Sequence, residues 1–170
     1  MILMQAILLL HLTGAAVLMD VKYTRIPNGL IVTGLLCGLA NQIFTFGLAG
    51  LILYLSGIML PVLLLGMFYY FRMIGAGDIK LLSAVGGFLG PCGCFYLIIY
   101  TILFGGVISA LCILRRKNLV TRLVYFKTYF STYVMTKKWQ PYLNLEEKNS
   151  YFYFSIPVFL STVCYLGGVY

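Results

Sequence analysis

Long apolar stretches separated by brief polar breaks set the pattern of this chain, with no residue-by-residue alternation of apolar and polar positions. Six such stretches are seen, about Ile2 to Asp20, Gly29 to Phe46, Leu48 to Tyr70, Ile79 to Leu89, Cys94 to Leu114 and Tyr151 to Val169. A helix needs about 20 apolar residues to cross a hydrocarbon core of about 30 Å, whereas the strands of a membrane barrel would alternate over about ten. The pattern therefore predicts an all-α, polytopic membrane protein with six transmembrane helices. The fourth stretch is unusual. From Asp78 to the turn signal Gly90-Pro91 only about a dozen residues are available, roughly 18 Å of helix. Unless that helix continues past Pro91, it must begin below the membrane surface and carry Asp78 with it.

The one long polar connection runs from Arg115 to Ser150. Leu119, Leu123, Phe126, Phe130 and Val134 recur there at steps of three and four, while Arg122, Lys127 and Ser131 take other faces. This predicts an amphipathic helix between the fifth and sixth spans, lying on a membrane surface whose anionic lipids attract its basic side chains. Its other reading is a docking surface for a substrate or partner.

Composition agrees with the pattern: 62% of the 170 residues are hydrophobic and 9% are charged, outside the range of a soluble globular chain. The length suits a single membrane-embedded domain over residues 1–170. Alternating the six spans places all twelve lysines and arginines on one face, after the first, third and fifth spans. By the positive-inside rule that face is cytoplasmic, which puts the chain in the cytoplasmic membrane with both termini outside. The first span has no positive residue before it and no small-x-small cleavage signal after it, so it is expected to be retained. The five cysteines form no paired Cys-x-x-Cys elements, are odd in number and read as small apolar residues.

Against this background the acids are few: Asp20, Asp78, Glu146 and Glu147. The glutamates belong to the polar connection. Asp20 closes the first span and Asp78 opens the fourth, so the topology read from the positive charges puts both at the cytoplasmic boundary, where a carboxylate is costly and usually functional. Two carboxylates brought together in a poorly solvated site share a proton over a wide pH range. One can then act as general base on a water while the other donates a proton to a scissile carbonyl. The competing reading pairs each aspartate with a nearby cation, Asp20 with Lys22 or Arg25 and Asp78 with Lys80.

The flanks bear on that choice. Gly75 and Gly77 permit positive backbone torsions and close approach by another segment, and Asp78 is placed to cap a helix beginning at Ile79. Pro27 suits the first turn of the second span, and Asn28 offers an amide that can fix loop geometry. His11, deep in the first span, reads as a buried, hydrogen-bonded or packing residue, and Trp139 as an interfacial anchor.

Asp20 followed by Ile26-Pro27-Asn28, the run Gly75-Ala76-Gly77-Asp78-Ile79-Lys80 leading into Leu81-Leu82-Ser83-Ala84-Val85-Gly86-Gly87, and the closing Phe154-Ser155-Ile156-Pro157 together resemble the type IV prepilin peptidases and their preflagellin relatives. The resemblance implies an intramembrane aspartic peptidase of the Gly-x-Gly-Asp type, as also seen in presenilin-like proteases. Such enzymes remove a short basic leader from prepilins or pseudopilins on the cytoplasmic side, typically after a glycine. It puts Asp20 and Asp78 at the family's catalytic positions and Gly75 and Gly77 at its motif glycines, with Lys80 matching the motif lysine in a structural or electrostatic role. The long bacterial members carry a methyltransferase insertion with Cys-x-x-Cys pairs between the first two spans. Here only Val21 to Asn28 joins them, so the chain resembles the compact, peptidase-only members found with tight-adherence pili.

No cofactor, metal or nucleic-acid partner is expected; the partners are a prepilin-like substrate and the bilayer, and the oligomeric state is left open. Two other functions stay in view. A proton-coupled transporter or channel would also use intramembrane acids and a glycine-broken helix, although transporter sites usually lie near the midplane. A non-enzymatic pilus-assembly scaffold would tolerate loss of both aspartates.

Overall fold

The computed structural model describes residues 2–71, 73–115 and 153–168. Residues Met1–Gly105 together with Tyr153–Tyr170 make one compact unit, and Gly106–Phe152 a second. The amphipathic helix expected within 115–150 lies outside the described residues, as do Arg72, Trp139 and both glutamates.

Among the described residues the structure is helical throughout: α1 (Ile2–Tyr23), α2 (Asn28–Phe46), α3 (Leu48–Tyr70), α4 (Ala76–Arg115) and α5 (Ser155–Leu166). The first four are long and apolar enough to cross a membrane. The chain is thus a helical membrane protein, but helix length alone yields four such elements rather than six. The difference has two sources. The expected fourth and fifth spans are both within α4, and the expected last span, Tyr151 to Val169, is helical only over twelve described residues, ending before Gly167 and Gly168.

Gly90 interrupts α4. Its φ of 70° and ψ of −178° are non-helical, and Pro91 follows with no N–H to continue the ladder. A Cβ on Gly86 would lie 2.7 Å from Cys94 Sγ. Eight residues of straight helix would hold those positions about 12 Å apart, so α4 folds back sharply at Gly90 into two arms. This is the break that the Gly90-Pro91 signal predicted.

The first arm is the centre of the compact unit. Residues 81–88 are all buried, and Leu81, Leu82, Ala84, Val85 and Phe88 join Leu9, Leu12 and Ala16 of α1, Ile31 of α2, Leu65 of α3 and Val158 of α5 in one core. A segment apolar on all sides is expected only where neighbours surround it. The closest approach is to α3. Pro61 carries no N–H for the Gly57 carbonyl four residues back, and that carbonyl packs instead against Gly86, whose own carbonyl reaches Gly57. Any side chain at either position would meet backbone, which is why small residues gather where membrane helices touch.

Polar side chains fasten the arm further. The Nε2 groups of Gln5 in α1 and Gln42 in α2 both donate to the Phe88 carbonyl, at 3.0 Å and 2.9 Å. Tyr54 in α3 donates its hydroxyl to the Leu35 carbonyl of α2 at 2.9 Å. Ser161 of α5 donates to the Leu97 carbonyl in the second arm at 3.0 Å. In a bilayer such bonds replace water that is not there.

Candidate active site

Three helix ends meet around the two aspartates. The first is the end of α1. The helix runs past Asp20 to Tyr23, so Asp20 does not close the span, as the sequence had suggested, but lies in its last turn. The Thr24 N–H donates to the Asp20 carbonyl at 2.8 Å and ends the helix, with Thr24 itself at φ 53°. Pro27, in extended backbone at φ −67° and ψ 138°, then caps α2, and its carbonyl accepts from the Leu30 N–H at 3.1 Å. The expected first-turn position of Pro27 is therefore off by one residue, and Asn28 is the first helical residue.

The second end is the start of α4. The helix begins at Ala76, not Ile79, so Asp78 is its third residue and not its cap. Gly75 takes the cap position: its carbonyl accepts from the Asp78 and Ile79 N–H groups at 3.2 Å and 3.4 Å. In return the Asp78 carboxylate accepts from the Gly75 backbone N–H, and a Cβ on Gly75 would lie 3.1 Å from Asp78 Oδ2. This reciprocal pairing is the back-bonding half of a capping box, made with aspartate instead of glutamate. Neither Gly75 nor Gly77 is among the positive-φ glycines, which are Gly47, Gly90 and Gly168. The torsional freedom expected of the motif glycines is thus unused; Gly75 instead leaves room for the Asp78 carboxylate. Gly77 faces Ile26 of the α1–α2 turn, whose Cβ would be 3.9 Å from a Cβ on Gly77.

The third end is the start of α5. Ser155, its first residue and fully buried, donates from Oγ to Asp20 Oδ2 at 2.6 Å. Sequence reasoning assigned Ser155 no role. The Phe154-Ser155-Ile156-Pro157 run marks a helix start, but nothing in the sequence pairs it with a residue 135 positions away.

Asp20 and Asp78 are both half-buried, and their charges act directly on each other. The two nearby lysines have other partners. Lys80 donates from Nζ to Asn28 Oδ1 at 3.1 Å, linking the starts of α4 and α2, and the Lys22 ammonium lies 5.2 Å from the centre of the Tyr23 ring. Asp20 is thus held by Ser155 and Asp78 by Gly75, rather than each by the neighbouring lysine. His11 is exposed, not buried, and donates from Nδ1 to the Ile7 carbonyl of its own helix at 3.1 Å. An open cleft of about 410 Å³ is lined by Tyr69, Tyr70, Met73, Ile74 and Gly75.

Two half-buried carboxylates from different helix ends, close enough for their charges to interact, form a site suited to acid–base chemistry. The sequence profile of the type IV leader peptidase family matches residues 6–110, more than half of the chain, and the protein belongs to that family. It is a membrane-embedded peptidase. The matched region contains Asp20, Pro27, Asn28, Gly75, Gly77, Asp78 and Lys80; Ser155 lies beyond it. No curated protein and no solved structure matches the chain.

Proposed function

We propose that the protein is an aspartic endopeptidase that removes the leader of prepilin-like precursors at the cytoplasmic face of the cytoplasmic membrane, with Asp20 and Asp78 as its catalytic pair. The observation that supports this reading is the charge interaction between the two carboxylates, drawn from the end of α1 and the start of α4, in a chain of the leader peptidase family. The pair holds one proton between them. The ionised partner takes a proton from a water as the water oxygen attacks the scissile carbonyl carbon. The protonated partner gives its proton to the carbonyl oxygen. Collapse of the resulting tetrahedral species breaks the C–N bond: the proton first taken from water passes to the departing amine, and one hydroxyl of the tetrahedral carbon returns its proton to the other carboxylate as the C=O bond re-forms, so the pair again holds one proton.

The first arm of α4, Ala76 to Gly90, is roughly 21 Å long and is not a full crossing by itself. It therefore supports a site set at the membrane boundary, where an extended leader segment can enter from the cytoplasm and lie along the cleft beside Gly75. The basic side chains of the 115–150 connection would hold that face to anionic lipid, with both termini on the other side.

The test is cleavage of a prepilin-like precursor by the protein in vesicles. Asp20→Asn and Asp78→Asn should each abolish processing while insertion is unchanged. Normal cleavage by either variant removes the proposal.

A further inference from the structure

Resting on that reading, we infer that Ser155 is a positioning residue for the reaction: its hydroxyl clamps one oxygen of the Asp20 carboxylate and so fixes how that carboxylate is presented to Asp78 and to the substrate. The contact is short, 2.6 Å from Ser155 Oγ to Asp20 Oδ2, in the range of a hydroxyl bound to a charged oxygen. The donor is also enclosed, because Ser155 has no solvent exposure. A carboxylate accepts only, so the serine must donate, and its single proton is spent on Asp20.

The geometry explains why Asp20 needs this help more than Asp78 does. Asp20 lies in the last turn of α1, where the helix presents carbonyl groups and negative partial charge. Asp78 lies in the first turn of α4, where a backbone N–H is at hand and is used. A side-chain donor from elsewhere in the fold is the available means of fixing Asp20, and Ser155 supplies it from the first residue of α5. The short last helix thereby contributes to the site through one hydroxyl, outside the region that the family profile covers.

Two replacements separate positioning from packing. Ser155→Ala removes the donor with little change of volume and should lower kcat for leader cleavage roughly 10- to 100-fold, the worth of a hydrogen bond to a charged group, with KM nearly unchanged. Ser155→Thr keeps the hydroxyl and should recover most of kcat. Should the alanine protein fail to insert, Ser155→Cys fills the same space with a weak donor and should show the same loss of kcat at unchanged KM. Wild-type kcat in Ser155→Ala or Ser155→Cys, with Asp20→Asn inactive, overturns the inference and leaves the catalytic pair standing. An active Asp20→Asn protein overturns the pair itself.

Discussion

Asp20 and Asp78 occupy opposite ends of helices and are held by opposite means. Asp78 is in a first turn, at the positive end of α4, and its carboxylate is fixed by the backbone N–H of Gly75, three residues earlier. A negative charge is favoured there by about 0.3–1 kcal/mol. Asp20 is in a last turn, at the negative end of α1, where the same effect opposes it, and its support comes from Ser155 across the fold. One aspartate is therefore oriented by its own segment and can be in place as soon as α4 forms. The other is oriented only when α5 docks on α1. A site so divided exists in full only in the assembled unit.

The largest effect that tests this division comes from removing charge while keeping shape. Asn at either aspartate still accepts a hydrogen bond through its amide oxygen, so Asp20→Asn can keep Ser155 and Asp78→Asn can keep Gly75. Both variants should unfold close to the wild-type temperature in detergent, yet lose roughly 10⁴-fold in kcat, as expected when one member of a cooperating pair is removed. A large fall in stability in either would mean that the carboxylates serve chiefly to hold helices together.

The next effect is confined to the Asp78 side. Gly75 is exposed and makes no use of positive φ, so a side chain there strains nothing in the backbone but meets the carboxylate it caps. Gly75→Ala places a Cβ 3.1 Å from Asp78 Oδ2, a few tenths of an ångström too close. We expect about a tenfold loss of kcat for Gly75→Ala and about 100-fold for the bulkier Gly75→Val, since small misplacements of a reacting group are costly. Stability should barely change. Equal and normal rates for both variants would show that Asp78 is free to move without consequence.

What could be read from the sequence follows the same division. The apolar helices and the break at Gly90 are local or compositional, and run length and Gly-Pro chemistry were sufficient for them; the central place of residues 81–88 was not foreseen, because it depends on which neighbours pack around that arm. The Asp78 surroundings are also local, since Gly75 is within four residues; the pattern identified the residues, although it assigned the glycines a torsional role they do not play. Asp20 was found through its position at a membrane boundary, but its partner was not. A hydroxyl 135 positions away leaves no periodic trace, and Ser155 beside Ile156-Pro157 reads as an ordinary helix start. For a similar reason the convergence of Gln5 and Gln42 on one carbonyl was not foreseen: that demand is created by the break at Gly90, not by anything near the glutamines.

The third prediction concerns the cost of leaving Ser155 without its acceptor. Asp20→Leu removes the carboxylate from a fully buried hydroxyl, which should destabilise the protein by about 1–3 kcal/mol. Adding Ser155→Ala should return most of that loss, because both polar groups are then gone. The corresponding change on the other side, Asp78→Leu, strands only the Gly75 N–H, which lies at an exposed residue that water can reach, and should cost less than 1 kcal/mol. Thermal unfolding of the three proteins decides it. A greater loss in Asp78→Leu than in Asp20→Leu would reverse the assignment of local and distant support.

The smallest effect tests whether the end of α1 stores strain on behalf of the site. Thr24 adopts φ 53°, a left-handed conformation that helices usually give to glycine at this position and that a β-branched residue accepts at a cost of about 1–2 kcal/mol. Its N–H to the Asp20 carbonyl, at 2.8 Å, is a backbone bond that glycine would keep. Thr24→Gly should therefore relieve the strain, lose part of the gain to the greater freedom of glycine in the unfolded chain, and stabilise the protein by about 0.5 kcal/mol. Cleavage should stay within about threefold of wild type, because the side chain of Thr24 bonds only to the neighbouring Tyr23 carbonyl and not to either aspartate. A tenfold slower enzyme with raised stability would show instead that the strained turn sets the position of Asp20, and would add the α1–α2 connection to Ser155 as a second distant support for that carboxylate.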